Sequence, residues 1–182
     1  SPVILISSKN IINIQSKKFN FRKRIKFINI KNLDNYKLNN KTINVIDIKF
    51  KKEKKKYIED CFQTAFKLLK NKYSYKFING PINKYNFLNK EYLGITEYIA
   101  KKFERKKVAM LIHNKELSVC PITTHLPLKL VTKKINMRLI QEKVILINQF
   151  YKVNYNFIPR IAVLGLNPHC ESIHKFNEDK KI

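Results

Sequence analysis

The chain has 182 residues, 44% of them hydrophobic, which is enough for a sizeable core of ordinary globular composition. Its net charge of +25 comes from 38 basic and 13 acidic residues, but only five of the basic ones are Arg and no nucleic-acid-binding signature appears, so a specific nucleic-acid partner is not expected. Three scattered cysteines, Cys61, Cys120 and Cys170, argue against a disulfide framework, and no signal peptide or run of membrane-spanning length is visible, so a cytoplasmic protein without a membrane partner is expected.

Taken in chain order, Val3 to Ser7 is a short apolar run and reads as a buried strand. Arg24 to Ile30 and Thr42 to Phe50 alternate and predict two more strands. The Asn- and Lys-rich stretches between them, such as Asn32 to Lys41, read as loops or short helices. From Lys52 to Asn71 the period changes: Ile58, Cys61, Phe62, Ala65, Phe66 and Leu69 recur at helical spacing. Tyr73 to Asn79 predicts a strand ending at Gly80-Pro81. A helix follows Gly94, with Thr96 as a possible N-cap. Val108 to Ile112 and Leu117 to Thr124 predict strands, the second running into His125. A loop covers Leu126 to Lys134. Asn136 is the expected N-cap of a long helix to about Tyr151, and Arg160 to Leu164 predicts a last strand before Asn167-Pro168-His169. Strands alternating with helices predict an α/β fold with a largely parallel sheet, as one unit over residues 1–182 with no clear linker.

Two histidines stand out. His125 and His169 each follow a predicted strand in a proline-bearing turn, and the stretch between them has the length of a right-handed crossover. With both strands parallel in one sheet, the imidazoles emerge at the edge where open α/β sheets bind ligands. Neutral imidazole suits divalent transition metals, but two histidines do not complete a site. On spacing alone, each also reads as an ordinary loop or capping residue. Two turns add to the picture. Asn79-Gly80-Pro81-Ile82-Asn83-Lys84 offers a glycine for positive φ or close backbone approach and a lysine for phosphate. Gly94-Ile95-Thr96-Glu97-Tyr98 opens a helix whose free N–H groups favour an anion. Each has an ordinary alternative, a plain turn and a plain cap.

In order, the chain carries Gly-Pro-Ile-Asn-Lys, Gly-Ile-Thr-Glu-Tyr, Thr-Thr-His-Leu-Pro-Leu and Gly-Leu-Asn-Pro-His. This set resembles the 4-hydroxythreonine-4-phosphate dehydrogenases, the PdxA family of vitamin B6 (pyridoxine) biosynthesis. The resemblance implies an isocitrate/isopropylmalate-dehydrogenase-like three-layer α/β/α fold and a homodimer. It implies NAD- or NADP-dependent oxidation of the C3 hydroxyl of 4-phosphohydroxy-L-threonine, giving a β-keto acid that decarboxylates to 3-amino-2-oxopropyl phosphate. By the same resemblance His125 and His169 bind a divalent metal (zinc, magnesium or cobalt) and Thr96 contacts the small phosphorylated substrate.

There are departures. Ile95 stands where the family has His. The turn after His169, Cys170-Glu171-Ser172-Ile173-His174, is shorter than the family's and lacks its glycines. The family's glycine-rich opening and the C-terminal segment with the third metal histidine are missing, so the chain reads as an incomplete unit. Two alternatives stay open beside the enzyme: an inactive remnant of it, marked by Ile95 and the missing glycines, and a basic polyanion-binding protein, resting on charge alone.

Overall fold

The structure is a computed structural model that describes residues 2–50, 52–89 and 91–167. The chain divides into two compact units, Ser1–Asn89 and Lys90–Ile182.

The first unit is built on a parallel three-stranded sheet. Its strands are β1 (Ile4–Ser7), β2 (Ile25–Ile28) and β3 (Ile43–Asp47), in the order β1-β3-β2. The register sets Leu5 and Phe27 opposite Val45, and Ile6 and Ile28 opposite Ile46. Side chains alternate across a strand, so Ile6, Ile28 and Ile46 share one face. That face joins Leu33 and Leu68 in a buried cluster, with Ile4, Ile30, Tyr36 and Ile48 packed at its edge. Val45 on the other face is fully buried, as a central strand covered on both sides requires.

Helix α1 (Lys9–Lys18) follows β1, and α2 (Lys54–Lys70) follows β3. The Tyr57 hydroxyl fixes α2 to the end of β1: it accepts from the Ser8 N–H at 2.9 Å and shares a hydrogen bond with Ser7 Oγ at 3.2 Å. On the next turns of α2, Phe62 stacks on Phe87 and meets Phe77 edge-on. These rings dock residues 77–89, including the short helix α3 (Lys84–Leu88), onto α2.

The second unit holds α4 (Ile95–Lys102), α5 (Leu128–Lys134) and α6 (Met137–Tyr155). The Asn136 side chain caps α6 by accepting from the Leu139 N–H at 3.0 Å, as expected. Residues 128–134, a loop by expectation, form α5 directly after Pro127, which stands at its N-cap.

Four predicted strands are not formed. Residues 73–79 and 160–164 have no ladder, and the segments 108–112 and 117–124 meet only in an antiparallel bridge between Ile112 and Val119. The physical reason is a want of neighbours. A strand exists only through hydrogen bonds to another strand, and among the described residues these segments form no ladder beyond that single bridge. Some of their apolar side chains stay exposed, Ile78 at 90% and Leu164 at 84%, while Phe77, Val108 and Leu111 are half-buried. The α/β class with a parallel sheet holds, with an incomplete sheet. Among the described residues, no helix is long and apolar enough to cross a membrane.

Candidate functional site

The second unit brings two of the singled-out motifs together. Gly94 is the N-cap of α4, with an extended backbone (φ −162°, ψ 176°). Thr96, a candidate cap in the sequence, is instead the second residue of the helix and is exposed. Glu97 occupies the first turn, where the positive end of the helix dipole favours a carboxylate.

The Glu97 side chain folds back over the cap. A Cβ placed on Gly94 would lie 2.7 Å from Glu97 Oε2, so only glycine leaves room for this arrangement. The other carboxylate oxygen, Oε1, accepts from Thr124 Oγ1 at 3.3 Å. That bond holds the loop bearing the candidate histidine against the helix start. The same Cβ position on Gly94 lies 3.5 Å from His125 Nε2. The imidazole, the carboxylate and the open end of α4 therefore surround one point.

His125 itself has φ 54°, in the left-handed region that non-glycine residues rarely adopt. Among the described residues its exposed imidazole has no hydrogen-bond partner. An exposed, unpartnered imidazole beside a carboxylate suits a divalent cation as one ligand of a set. Among the described residues, no group of three or more His, Cys, Asp or Glu side chains could complete that set. His169, the expected second ligand, lies outside the described residues, as do Cys170 and His174.

The Gly80 turn belongs to the first unit and differs from expectation. Gly80 does not have positive φ, and a Cβ there would meet nothing within 4 Å, so neither reason for glycine applies. Asn83 caps α3 by accepting from the Asn86 N–H at 3.1 Å, and Lys84 is the first, exposed residue of that helix.

Two participants were not singled out from sequence. Glu97 was read only as part of a helix start; its fold-back depends on a residue 27 positions later in the chain. His113 has both ring nitrogens engaged: Nδ1 with Ser118 Oγ at 3.0 Å and Nε2 with the Tyr155 hydroxyl at 2.8 Å. Tyr155 lies on α6, so this network ties the turn at residues 113–118 to that helix. Nothing in the local sequence signals it.

The motifs that converge at Gly94 and His125 fit a known family. The family model "Pyridoxal phosphate biosynthetic protein PdxA" matches residues 1–182. The chain belongs to the PdxA family. Similar proteins include a 4-hydroxythreonine-4-phosphate dehydrogenase of Hydrogenobaculum sp. (strain Y04AAS1), 40% identical over 92 residues, covering 50% of this chain and 30% of that protein. Another, from Sulfurihydrogenibium sp. (strain YO3AOP1), is 42% identical over 93 residues, covering 50% of this chain and 29% of that protein. Among solved structures, the 4-hydroxythreonine-4-phosphate dehydrogenase of Klebsiella pneumoniae superposes with a TM-score of 0.73 at 24% identity, over 93% of this chain and 56% of that one. The Burkholderia phymatum enzyme gives 0.70 at 20% identity, over 98% and 58%. These structures support the fold. The matched region is about a third of the curated relatives' length, and the chain spans a little over half of the solved chains.

Proposed function

We propose that this chain carries part of the active site of a 4-hydroxythreonine-4-phosphate dehydrogenase in vitamin B6 biosynthesis. The substrate would be 4-phosphohydroxy-L-threonine, and NAD or NADP would take the hydride from its C3 carbon. The β-keto acid so formed loses carbon dioxide to give 3-amino-2-oxopropyl phosphate. The observation that carries this reading is the approach of His125 Nε2 to the Gly94 helix start, which joins two family motifs in one place.

The roles follow from the geometry and the resemblance. His125 and His169 would hold a divalent metal, which supplies Lewis acidity at the reacting hydroxyl. Thr124, fixed by Glu97, orients the His125 loop. Thr96 would contact the substrate from the first turn of α4, beside the Glu97 carboxylate that lies over the helix start. A homodimer and a cytoplasmic setting are part of the same proposal.

The test is reduction of NAD or NADP by 4-phosphohydroxy-L-threonine with added zinc, cobalt or magnesium, using the longest protein that contains this chain. Turnover should fall at least about a hundredfold in His125→Ala and in His169→Ala. A folded, metal-loaded protein with no turnover sinks the enzyme reading. One observation favours the second reading, an inactive remnant: Ile95 cannot donate a hydrogen bond or carry a proton where the family has His. Metal retention without turnover, unrescued by Ile95→His, would establish that remnant.

A further inference from the structure

The proposed enzyme leaves one strongly charged surface unused. The first 33 residues contain eight Lys and Arg and no Asp or Glu. Six of these cations fall within ten residues: Lys17, Lys18, Arg22, Lys23, Arg24 and Lys26. Two of the chain's five arginines are here. Two phenylalanines interleave with the charges, Phe19 at 70% and Phe21 at 47% exposure. Residues 17–24 are all exposed. Among the described residues none of the six cations is in an ion pair; the ion pairs lie on α2 and around Glu142.

This segment is held in one shape. It is the C-terminal cap of α1 and the entry to β2. The Phe21 N–H donates to Ser16 O at 2.8 Å and the Asn20 N–H to Lys17 O at 3.3 Å, with Asn20 left-handed at φ 50°. That is a Schellman cap. The Arg22 Nε–H then donates to Asn20 Oδ1 at 3.3 Å, and Arg24 O accepts from the Ile43 N–H at 2.9 Å, anchoring the far end to β3. Lys18 Nζ lies 5.6 Å over one face of the Phe19 ring, so that ring offers its other face; two exposed rings and the surrounding cations are thus presented without a large ordering cost.

We propose that this tip of the first unit binds single-stranded nucleic acid without sequence preference. Cations track the phosphates, and exposed aromatic faces stack on unpaired bases; sequence-tolerant binders combine these two elements. Arginine adds a planar, always-charged fork for phosphate. An anionic bilayer fits the surface less well. Insertion needs a continuous apolar face, whereas of the isoleucines of α1 only Ile14 is exposed, Ile11 and Ile12 are half-buried, and Asn20 separates the two rings. The surface belongs to the first unit alone and does not depend on the dehydrogenase reading.

The experiment is fluorescence anisotropy with a labelled oligo-uridine of about 15 nucleotides at an ionic strength of about 0.15 M. Phe19→Ala/Phe21→Ala should weaken binding at least about thirtyfold and leave the salt dependence unchanged. Arg22→Ala/Lys23→Ala/Arg24→Ala should weaken it more and flatten the slope of log affinity against log salt by about 2. A control that removes the same charge elsewhere, Lys54→Ala/Lys55→Ala/Lys56→Ala, should change affinity less than about threefold. Circular dichroism checks that each variant is folded. Equal losses in the control and tip variants would mean diffuse charge attraction and overturn the proposal. Equal affinity for duplex and single strand would also overturn it, since a duplex hides the base faces. So would ring-dependent binding to phosphatidylserine vesicles without ring-dependent binding to the oligonucleotide.

Discussion

The Thr124 hydroxyl donates to Glu97 Oε1 at 3.3 Å, joining the histidine loop to the first turn of α4 across 27 residues of sequence. Gly94 makes this contact possible, because a Cβ there would sit 2.7 Å from the other Glu97 oxygen. Gly94→Ala should therefore displace a flexible carboxylate rather than the backbone. We expect a small stability cost, about 1 kcal/mol, mostly for placing Ala at an N-cap. The local effect should be larger: the His125 imidazole resonances should shift and metal retention should weaken. A variant that keeps native His125 resonances and metal retention would show that Glu97 does not position this loop.

His125 combines a candidate ligand with an unfavourable backbone, φ 54°. Strain of this kind costs about 1–3 kcal/mol and gathers at functional sites. Two substitutions separate the two roles. His125→Ala and His125→Gly should both lose the ligand and bind metal equally poorly. His125→Gly should be the more stable of the two by about 1 kcal/mol, because glycine enters the left-handed region freely. Chemical denaturation of both variants reads this difference, and equal stabilities would mean that the loop relaxes without strain.

The same conformation recurs at helix ends. Lys72, after α2, and Glu104, after α4, are left-handed at φ 61° and 53° and close Schellman caps through the Tyr73 and Arg105 N–H groups. Such positions usually carry glycine. This chain has only three glycines and uses none of them there. Lys72→Gly and Glu104→Gly should each raise stability by about 0.5–1 kcal/mol. Asn20 and Asn156, also left-handed, should gain less, since Asn tolerates the region. Urea unfolding midpoints of the four single variants test the ranking.

The residues that were legible in the sequence share one property: their partners are nearby and periodic. β1, β3, α2 and α6 stand within a few residues of where the apolar pattern put them, and Asn136 caps α6 as read. α1 is legible only as a stretch of loop or short helix, because Lys9–Lys18 is mostly Lys, Asn and Ile with no residue fully buried, so its face is faint. The segments at 73–79 and 160–164 misled in the opposite direction. Their β-rich composition is real, but a strand needs a neighbour, and composition does not supply one. At the site, Gly94 and His125 were legible as motifs. Glu97 was not, because its role arises only when Thr124 is brought back to α4.

Asn44 is a point where buried polarity can be tested. It sits fully buried in the central strand, and its amide donates to Val3 O and Asn39 O, both at 3.0 Å. Asn44→Ala leaves both carbonyls without this partner and opens a gap, which should cost about 2–3 kcal/mol. Asn44→Asp should be at least as damaging, because a carboxylate would face two carbonyl oxygens. Thermal or urea unfolding measures both. A loss below about 0.5 kcal/mol in Asn44→Ala would mean that water replaces the amide at no cost.

The Cys61 thiol offers a pH-dependent test of the first unit. Burial pushes it above its ordinary value; the Tyr57 hydroxyl partly offsets this, and the Asp60 carboxylate adds to the rise. Burial likewise raises Tyr57. For a group whose folded value lies above its unfolded value, stability is fully present below the unfolded value. It is lost as pH rises through the folded one. The unfolded thiol titrates near 9.0, so the unit should hold its stability from neutral pH to about pH 8.5 and decline above it. Cys61→Ala removes the thiol's share and should flatten the first part of that decline, leaving the later Tyr57 share. The same shift keeps Cys61 in its unreactive thiol form, so iodoacetamide should modify it more slowly than a free cysteine at pH 8. Urea unfolding of both proteins between pH 7 and 10, with peptide mapping of the alkylated protein, reads the two effects. Parallel pH profiles together with rapid Cys61 alkylation would show that the thiol is solvated and that the Tyr57 contact does not shield it.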